Sequence, residues 1–152
     1  MRVVSYAVLL LAPVLIGAQQ EKEKWQRVYT GEDSIIEIDI SKVTFVEYNV
    51  SRRVTFGYNI GRVGFRTTLS KPEGMKEKPT VKYKRRLETI EFNCLANRYR
   101  LCQATLLDEK GNVVKVYERN PSEDWKEVRF GSMMEKLAYQ ACKLIDEKRR
   151  NP

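Results

Sequence analysis

The chain has 152 residues, and 28 lysines and arginines against 20 aspartates and glutamates give it a formal net charge of +8. It contains no histidine, which excludes Ser-His-Asp and Cys-His catalysis, a histidine general base and zinc sites that use imidazole. Three cysteines are too few for an all-thiolate metal site or a disulfide-dense miniprotein. A hydrophobic content of 42% fits one globular domain with its own core.

The first eighteen residues differ in composition from the rest of the chain. Arg2 provides a positive start, residues 3–16 are almost wholly apolar, and an abruptly polar stretch follows. This pattern is typical of a secretory signal peptide over residues 1–18, followed by a polar tail over 19–24. The apolar run is shorter than a membrane-spanning helix requires. We therefore expect export to the periplasm, the cell surface or the medium, with no membrane span after cleavage.

Downstream of the tail, apolar and polar residues alternate with a period of two, which predicts half-buried antiparallel strands. Residues 71–80 interrupt this pattern with two prolines, a glycine and five charged residues, which predicts a mobile loop. The predicted strands cover residues 25–29, 36–40, 54–60, 63–69, 83–93, 99–107, 113–117 and 125–128.

After residue 131 the period changes to that of a helix. Ser132 and Glu135 have the spacing of a capping box, and the basic residues of the predicted C-terminal tail, 148–152, favour the negative end of the helix dipole. A helix with one apolar stripe must cover the predicted sheet, which indicates an α+β fold. The stripe consists of Met134, Leu137, Ala138, Ala141 and Ile145.

The three cysteines, Cys94, Cys102 and Cys142, allow three disulfide pairings. Cys94 is in step with the apolar residues of its strand, and Cys142 lies beside the helical stripe, which favours a bridge between these two. A Cys94–Cys102 bridge across a hairpin is the main alternative, and an intermolecular bridge through the odd cysteine is another. A free Cys102 would pack as a small hydrophobic residue, because the chain has neither the histidine nor the C-x-x-C spacing of a reactive thiol.

Basic residues surround two tyrosines on neighbouring predicted strands. Side by side, they would form one positive face suited to acidic protein surfaces or anionic glycans. The alternative is a solvated sheet face whose lysines and arginines prevent edge-to-edge pairing. The candidate binding residues are Lys82, Tyr83, Lys84, Arg85, Arg86, Arg98, Tyr99 and Arg100.

The order of motifs along residues 25–147 resembles a known bacterial family. Trp25 opens the first strand, the basic segment 94–100 begins with a cysteine, a D-x-x-G turn occupies 108–111, and Trp125, the Ser132 cap and the last cysteine follow. This order is similar to that of the surface-adhesin protein E-like domains. The resemblance implies a single antiparallel sheet of about six strands. It also implies a C-terminal helix held on the concave face by a disulfide, which carries over to Cys94 and Cys142.

The resemblance and the composition together predict a secreted or periplasmic, non-catalytic binding module. The family is named after an adhesin, so the expected partner is a protein, such as host extracellular matrix, or an anionic glycan. No metal or cofactor is expected, and export disfavours nucleic acid. The alternative is a structural or assembly component of the cell envelope that acts as a homodimer through an exposed strand edge.

Overall fold

The computed structural model describes residues 23–46, 48–51, 54–56, 60–119 and 124–151. The predicted signal peptide and residues 19–22 of the polar tail lie outside the described residues. Within the described ranges the strands precede a single helix. These elements are β1 (Trp25–Thr30), β2 (Ser34–Phe45), β3 (Tyr48–Ser51), β4 (Val54–Phe56), β5 (Ile60–Gly74), β6 (Lys82–Asn93), β7 (Arg98–Leu107), β8 (Val113–Glu118), β9 (Lys126–Glu127) and α1 (Met133–Arg150).

Most of these strands form one open antiparallel sheet. Its spatial order is β1-β2-β5-β6-β7-β8, and the short β9 also pairs with β7. Strand β7 pairs with β8 through residues 103–107 and with β9 through Arg98 and Tyr99, so these two short strands share one side of β7. The β3–β4 hairpin is a separate two-stranded sheet. The described architecture is therefore the predicted α+β fold of one antiparallel sheet and a C-terminal helix.

Helix α1 begins directly after Ser132, as the capping box predicts, and two hydrogen bonds from backbone amides to side chains mark this start. The Ser132 hydroxyl accepts a hydrogen bond from the Glu135 amide at 3.2 Å, and the Glu135 carboxylate accepts one from the Gly131 amide at 2.8 Å. These bonds satisfy amide groups that have no partner within the helix. The helix continues to Arg150, so the first three residues of the predicted basic tail form its last turn, where they complement the helix dipole.

The helix packs on one face of the sheet and completes the core. Ala141 and Ile145 are fully buried and face a sheet surface that includes Phe65 and Phe92. A Cβ atom on Gly61 of β5 would lie only 2.6 Å from Ile145 Cγ1, so glycine is needed where the helix comes closest. The described stripe is the predicted one with Leu144 added, while Met134 lies partly buried at its edge.

Side chains alternate across each strand, so the residues between the core positions point away from α1. We call this side of the sheet the helix-free face. The residues at the centre of this face are Trp25 in β1, Glu37 in β2, Arg62, Gly64 and Arg66 in β5, Glu91 in β6 and Arg100 in β7.

The predicted loop over 71–80 is wrong in its first half, because β5 continues to Gly74 and pairs with β6. The register of this pairing is irregular between Thr68 and Glu73. Pro72 lies inside that irregularity, where a residue without an N–H group disturbs the ladder least. The expectation that a proline ends a strand therefore places the end of β5 too early.

The disulfide links the end of β6 to the helix. Cys94 follows β6 directly and is bonded to Cys142 of α1, with an S–S distance of 2.10 Å and a Cα–Cα distance of 5.7 Å, while Cys102 is free. This is the pairing that the resemblance implied, and the Cys94–Cys102 alternative is wrong. The bond ties the helix to the sheet across a sequence separation of 48 residues.

Removing the disulfide with the double variant C94A/C142A should lower the free energy of unfolding by about 4 kcal/mol, because the unfolded chain regains the freedom of a long closed loop. Urea unfolding followed by circular dichroism measures the loss. The control is C102A, which removes a thiol without opening a loop and should cost about 1 kcal/mol at most. Equal losses in the two proteins would contradict this account.

Candidate binding site

The pairing register separates the two groups of predicted binding residues. In the β6–β7 hairpin Arg86 is opposite Leu106, whereas Arg98 is opposite Asn93. The seven-residue offset along β6 corresponds to about 20 Å of strand. The expectation of one continuous positive face is wrong, because antiparallel neighbours bring the start of β6 to the end of β7 rather than to its start.

The first group, which we call the basic strand end, comprises residues 82–86 of β6. Arg86 Nε lies 3.0 Å from Glu88 Oε2, and the Tyr83 hydroxyl donates a hydrogen bond of 2.9 Å to Glu73 Oε2. Burial raises the pKa of the Glu88 carboxyl, and Arg86 offsets this only in part. Burial also raises the pKa of the Tyr83 phenol. Arg86 and Tyr83 are thus engaged within the fold.

The remaining cations of the basic strand end are not neutralised in this way. Lys84 Nζ donates to the Ser70 carbonyl, which carries no charge, and Lys82 is exposed to solvent. Within the part of the chain that the structure describes, no ion pair joins Lys82, Lys84 or Arg85 to a carboxylate. The basic strand end therefore presents uncompensated positive charge.

The second group is divided among three environments. Arg98 is exposed and forms a loose ion pair with Glu127 at 3.7 Å. Tyr99 packs against the core on the helix side, so its ring is not a free binding surface. Arg100 points to the helix-free face, where its guanidinium stacks on the Trp125 ring at 4.3 Å. These residues share a stretch of sequence but do not form one site.

A buried carboxylate organises the helix-free face. Glu91 has no exposed surface, Arg62 Nε lies 2.6 Å from Glu91 Oε1, and Arg100 Nε contacts Glu91 Oε2. The hydrogen bond that Arg62 donates to Glu91 raises the pKa of that guanidinium. Sequence reasoning missed this cluster, because the carboxylate and its two arginines come from three strands that only the register brings together.

The free thiol lies beside this cluster. Cys102 occupies the irregularity where β7 has one residue more than β6, between Leu101 and Gln103. Burial raises the pKa of its thiol, the Glu91 carboxylate raises it further, and the charge of Arg62 opposes this only in part. A thiol with a raised pKa is a poor nucleophile at neutral pH, which agrees with the interpretation of Cys102 as a packing residue.

A groove of about 350 Å³ lies on the helix-free face around Gly64. The Trp25 ring stands at one wall with the Arg66 guanidinium stacked on it at 4.6 Å, and the indole N–H donates to Glu23 Oε2 at 3.1 Å. The sequence did not indicate this groove. Besides Trp25 and Gly64, the groove is lined by charged and polar residues. The charged ones are Glu23, Asp39, Lys42, Arg62 and Glu88, and the polar ones include Thr44, Thr89 and Gln103.

The described ranges contain no group of three or more cysteines, aspartates and glutamates placed to hold a metal ion. No helix in the same ranges is long and apolar enough to cross a bilayer.

The described part of the chain combines a sheet face covered by one helix, an open polar face and uncompensated basic charge at one strand end. Residues 25–143 match the family described as surface-adhesin protein E. The chain belongs to this family, and membership indicates a surface adhesin. Neither a curated protein nor a solved structure matches the chain significantly.

Replacing the buried carboxylate in Glu91→Gln should lower the free energy of unfolding by about 3 kcal/mol, because two arginines lose the charge that balances them. Urea unfolding at pH 7 measures the change. The matched control is Glu37→Gln on the same face, whose more exposed ion pair with Arg66 is worth about 1 kcal/mol or less. A loss at Glu91 no larger than at Glu37 would refute the organising role of Glu91.

Proposed function

We propose that this domain is an exported, non-catalytic binding module that contacts acidic groups of a host extracellular-matrix protein or an anionic glycan. The observation that carries the proposal is the uncompensated charge of Lys82, Lys84 and Arg85 in a chain of the surface-adhesin family. Sulfate, carboxylate and phosphate groups accept charge-assisted hydrogen bonds from such side chains. Export to the cell surface would bring the domain into contact with these partners.

The chemistry of the chain supports binding rather than catalysis. The sequence offers no histidine for proton transfer near neutral pH. The thiol of Cys102 has a raised pKa, and the carboxylate of Glu91 is held by two arginines. These groups stabilise the fold, and the basic strand end remains for contact with a partner.

Neutralising the basic strand end in the triple variant K82Q/K84Q/R85Q should weaken binding to immobilised heparin or laminin by about tenfold, because three charge contacts of roughly 0.5 kcal/mol each are lost. Surface plasmon resonance at about 50 mM salt measures the change. Binding by the unmodified protein should itself fall as salt rises to about 500 mM, since ions screen exposed charges.

The matched control removes the same charge at the other end of the hairpin. The variant R98Q/K126Q/R129Q changes three exposed cations and should bind within about twofold of the unmodified protein. Equal weakening in the two triple variants would show that only net charge matters. That result, or no binding to either surface at low salt, would reject the basic strand end as the site.

A second candidate function is assembly as a homodimer in the cell envelope. Strand β8 is an edge of the sheet and leaves Val113 63% and Val116 45% exposed, which favours pairing with a second copy. Light scattering should then show a mass that doubles with concentration, and Val116→Lys should abolish the increase. A monomeric mass at every concentration would exclude this alternative.

A further inference from the structure

Gly64 lies inside β5, one of the two central strands of the sheet. Its neighbours along the strand, Val63 and Phe65, are both buried in the core. Glycine inside a strand weakens it, because the residue loses backbone entropy and offers no side chain for packing. Such a glycine marks a bend, a close approach of backbone or a place where a ligand comes near.

Close contacts within the fold require the other β5 glycines but not Gly64, which lies opposite the irregularity of β2 between Ile38 and Val43. A Cβ atom would lie 2.6 Å from Ile145 Cγ1 at Gly61 and 2.5 Å from the Pro79 carbonyl oxygen at Gly74. At Gly64 the nearest atoms are Asp39 Cβ at 3.6 Å and Trp25 Cη2 at 4.0 Å, which are ordinary contact distances. Its φ is not positive either. No contact in the described part of the chain therefore requires glycine at this position.

Because Gly64 has no side chain, its backbone forms the floor of the groove on the helix-free face. Trp25 and Asp39 stand on one side of Gly64, and Thr89 of β6 pairs with it on the other. Gln103 of β7 pairs with Thr89 in turn and is exposed. The volume of about 350 Å³ lies at the small end of the range for ligand sites, about 300–1,000 Å³.

The charges that border the groove balance one another. The cations Lys42 and Arg62 stand against the carboxylates Glu23 and Asp39. Arg62 is already paired with Glu91, and Asp39 Oδ1 accepts hydrogen bonds from the amide and hydroxyl of Ser41 at 2.9 and 2.6 Å. The groove therefore offers little net charge to attract an ion.

Glu88 also borders the groove, but its carboxylate pairs with Arg86. Arg66 covers one side of the Trp25 ring. What the groove presents to a ligand is the uncovered part of that ring together with the hydroxyl and amide groups of Thr44, Thr89 and Gln103. An aromatic ring packs against the C–H face of a sugar, and hydroxyl and amide groups both donate and accept hydrogen bonds with its hydroxyls.

We propose that this groove binds one or two rings of a neutral saccharide, stacked on Trp25 and lying over Gly64. The proposal goes beyond the binding of acidic groups, because it uses different residues and a different attraction. Binding at the basic strand end depends on exposed charge and weakens with salt, whereas contacts of stacking and neutral hydrogen bonds do not.

The test follows the ¹⁵N-labelled protein by NMR during titration with neutral sugars: glucose, galactose, mannose, N-acetylglucosamine and their β1,4-linked disaccharides. We expect saturable shifts of the Gly64 and Thr89 amides and of the Trp25 indole N–H. The dissociation constant should change by less than about twofold between about 50 and 500 mM salt. The variant K82Q/K84Q/R85Q should bind equally well, which separates this proposal from the previous one.

Filling the groove in Gly64→Leu should weaken the binding by about tenfold or more, since the added side chain occupies the place of the sugar ring. The matched control is Thr68→Leu, on the same strand and the same face but outside the groove, which should bind normally. Gln103→Ala changes an exposed side chain that the fold does not need, and it should weaken binding by about three- to tenfold. It keeps the proposal testable if Gly64→Leu fails to fold.

Three results would overturn the proposal. One is the absence of saturable shifts around Gly64 with every sugar of the panel. Another is binding by folded Gly64→Leu that equals binding by Thr68→Leu. The third, from a parallel titration with glucuronic acid, is a groove that binds only this acidic sugar and loses it as salt rises, since that would assign it an ionic ligand.

Discussion

Ile145 reaches the sheet at Gly61, where the absence of a side chain leaves room for the helix residue against β5. This contact commits one face of the sheet to the apolar core, because the helical stripe has no other surface to cover. The helix-free face is then left for polar side chains. The disulfide between Cys94 and Cys142 holds the same division in place. The core, the buried ion cluster and the groove all follow from this two-sided arrangement.

Polar groups on the helix-free face need compensation of their own, because no helix supplies partners there. Arg62 and Arg100 enclose Glu91 so completely that the carboxylate has no contact with solvent. The arginines in turn are fixed in position, and Arg62 borders the groove around Gly64. A charge cluster of this kind gives the open face a defined shape without giving it a large net charge.

The elements that depend on local sequence were predictable, and the contacts between distant strands were not. Alternation located most of the strands but missed β3 and ended β2 and β5 too early. The Ser132 cap with its apolar stripe located the helix, because each of these patterns acts over a few residues. The separation of Arg86 from Arg98 depends on pairing register, which no local pattern states. In the sequence Glu91 is an ordinary strand residue, because its two arginine partners lie on other strands and are identified only by the pairing register. The free space over Gly64 likewise becomes visible only when its neighbours on β2 and β6 are known.

The covalent bond between α1 and the end of β6 also determines how the domain carries mechanical load. A pull on the C-terminus can unwind the helix only as far back as Cys142. Beyond that residue the tension passes through the disulfide to Cys94 and reaches the sheet at the end of β6. While the disulfide is intact, the turns of α1 before Cys142 therefore stay attached to the sheet under such a pull.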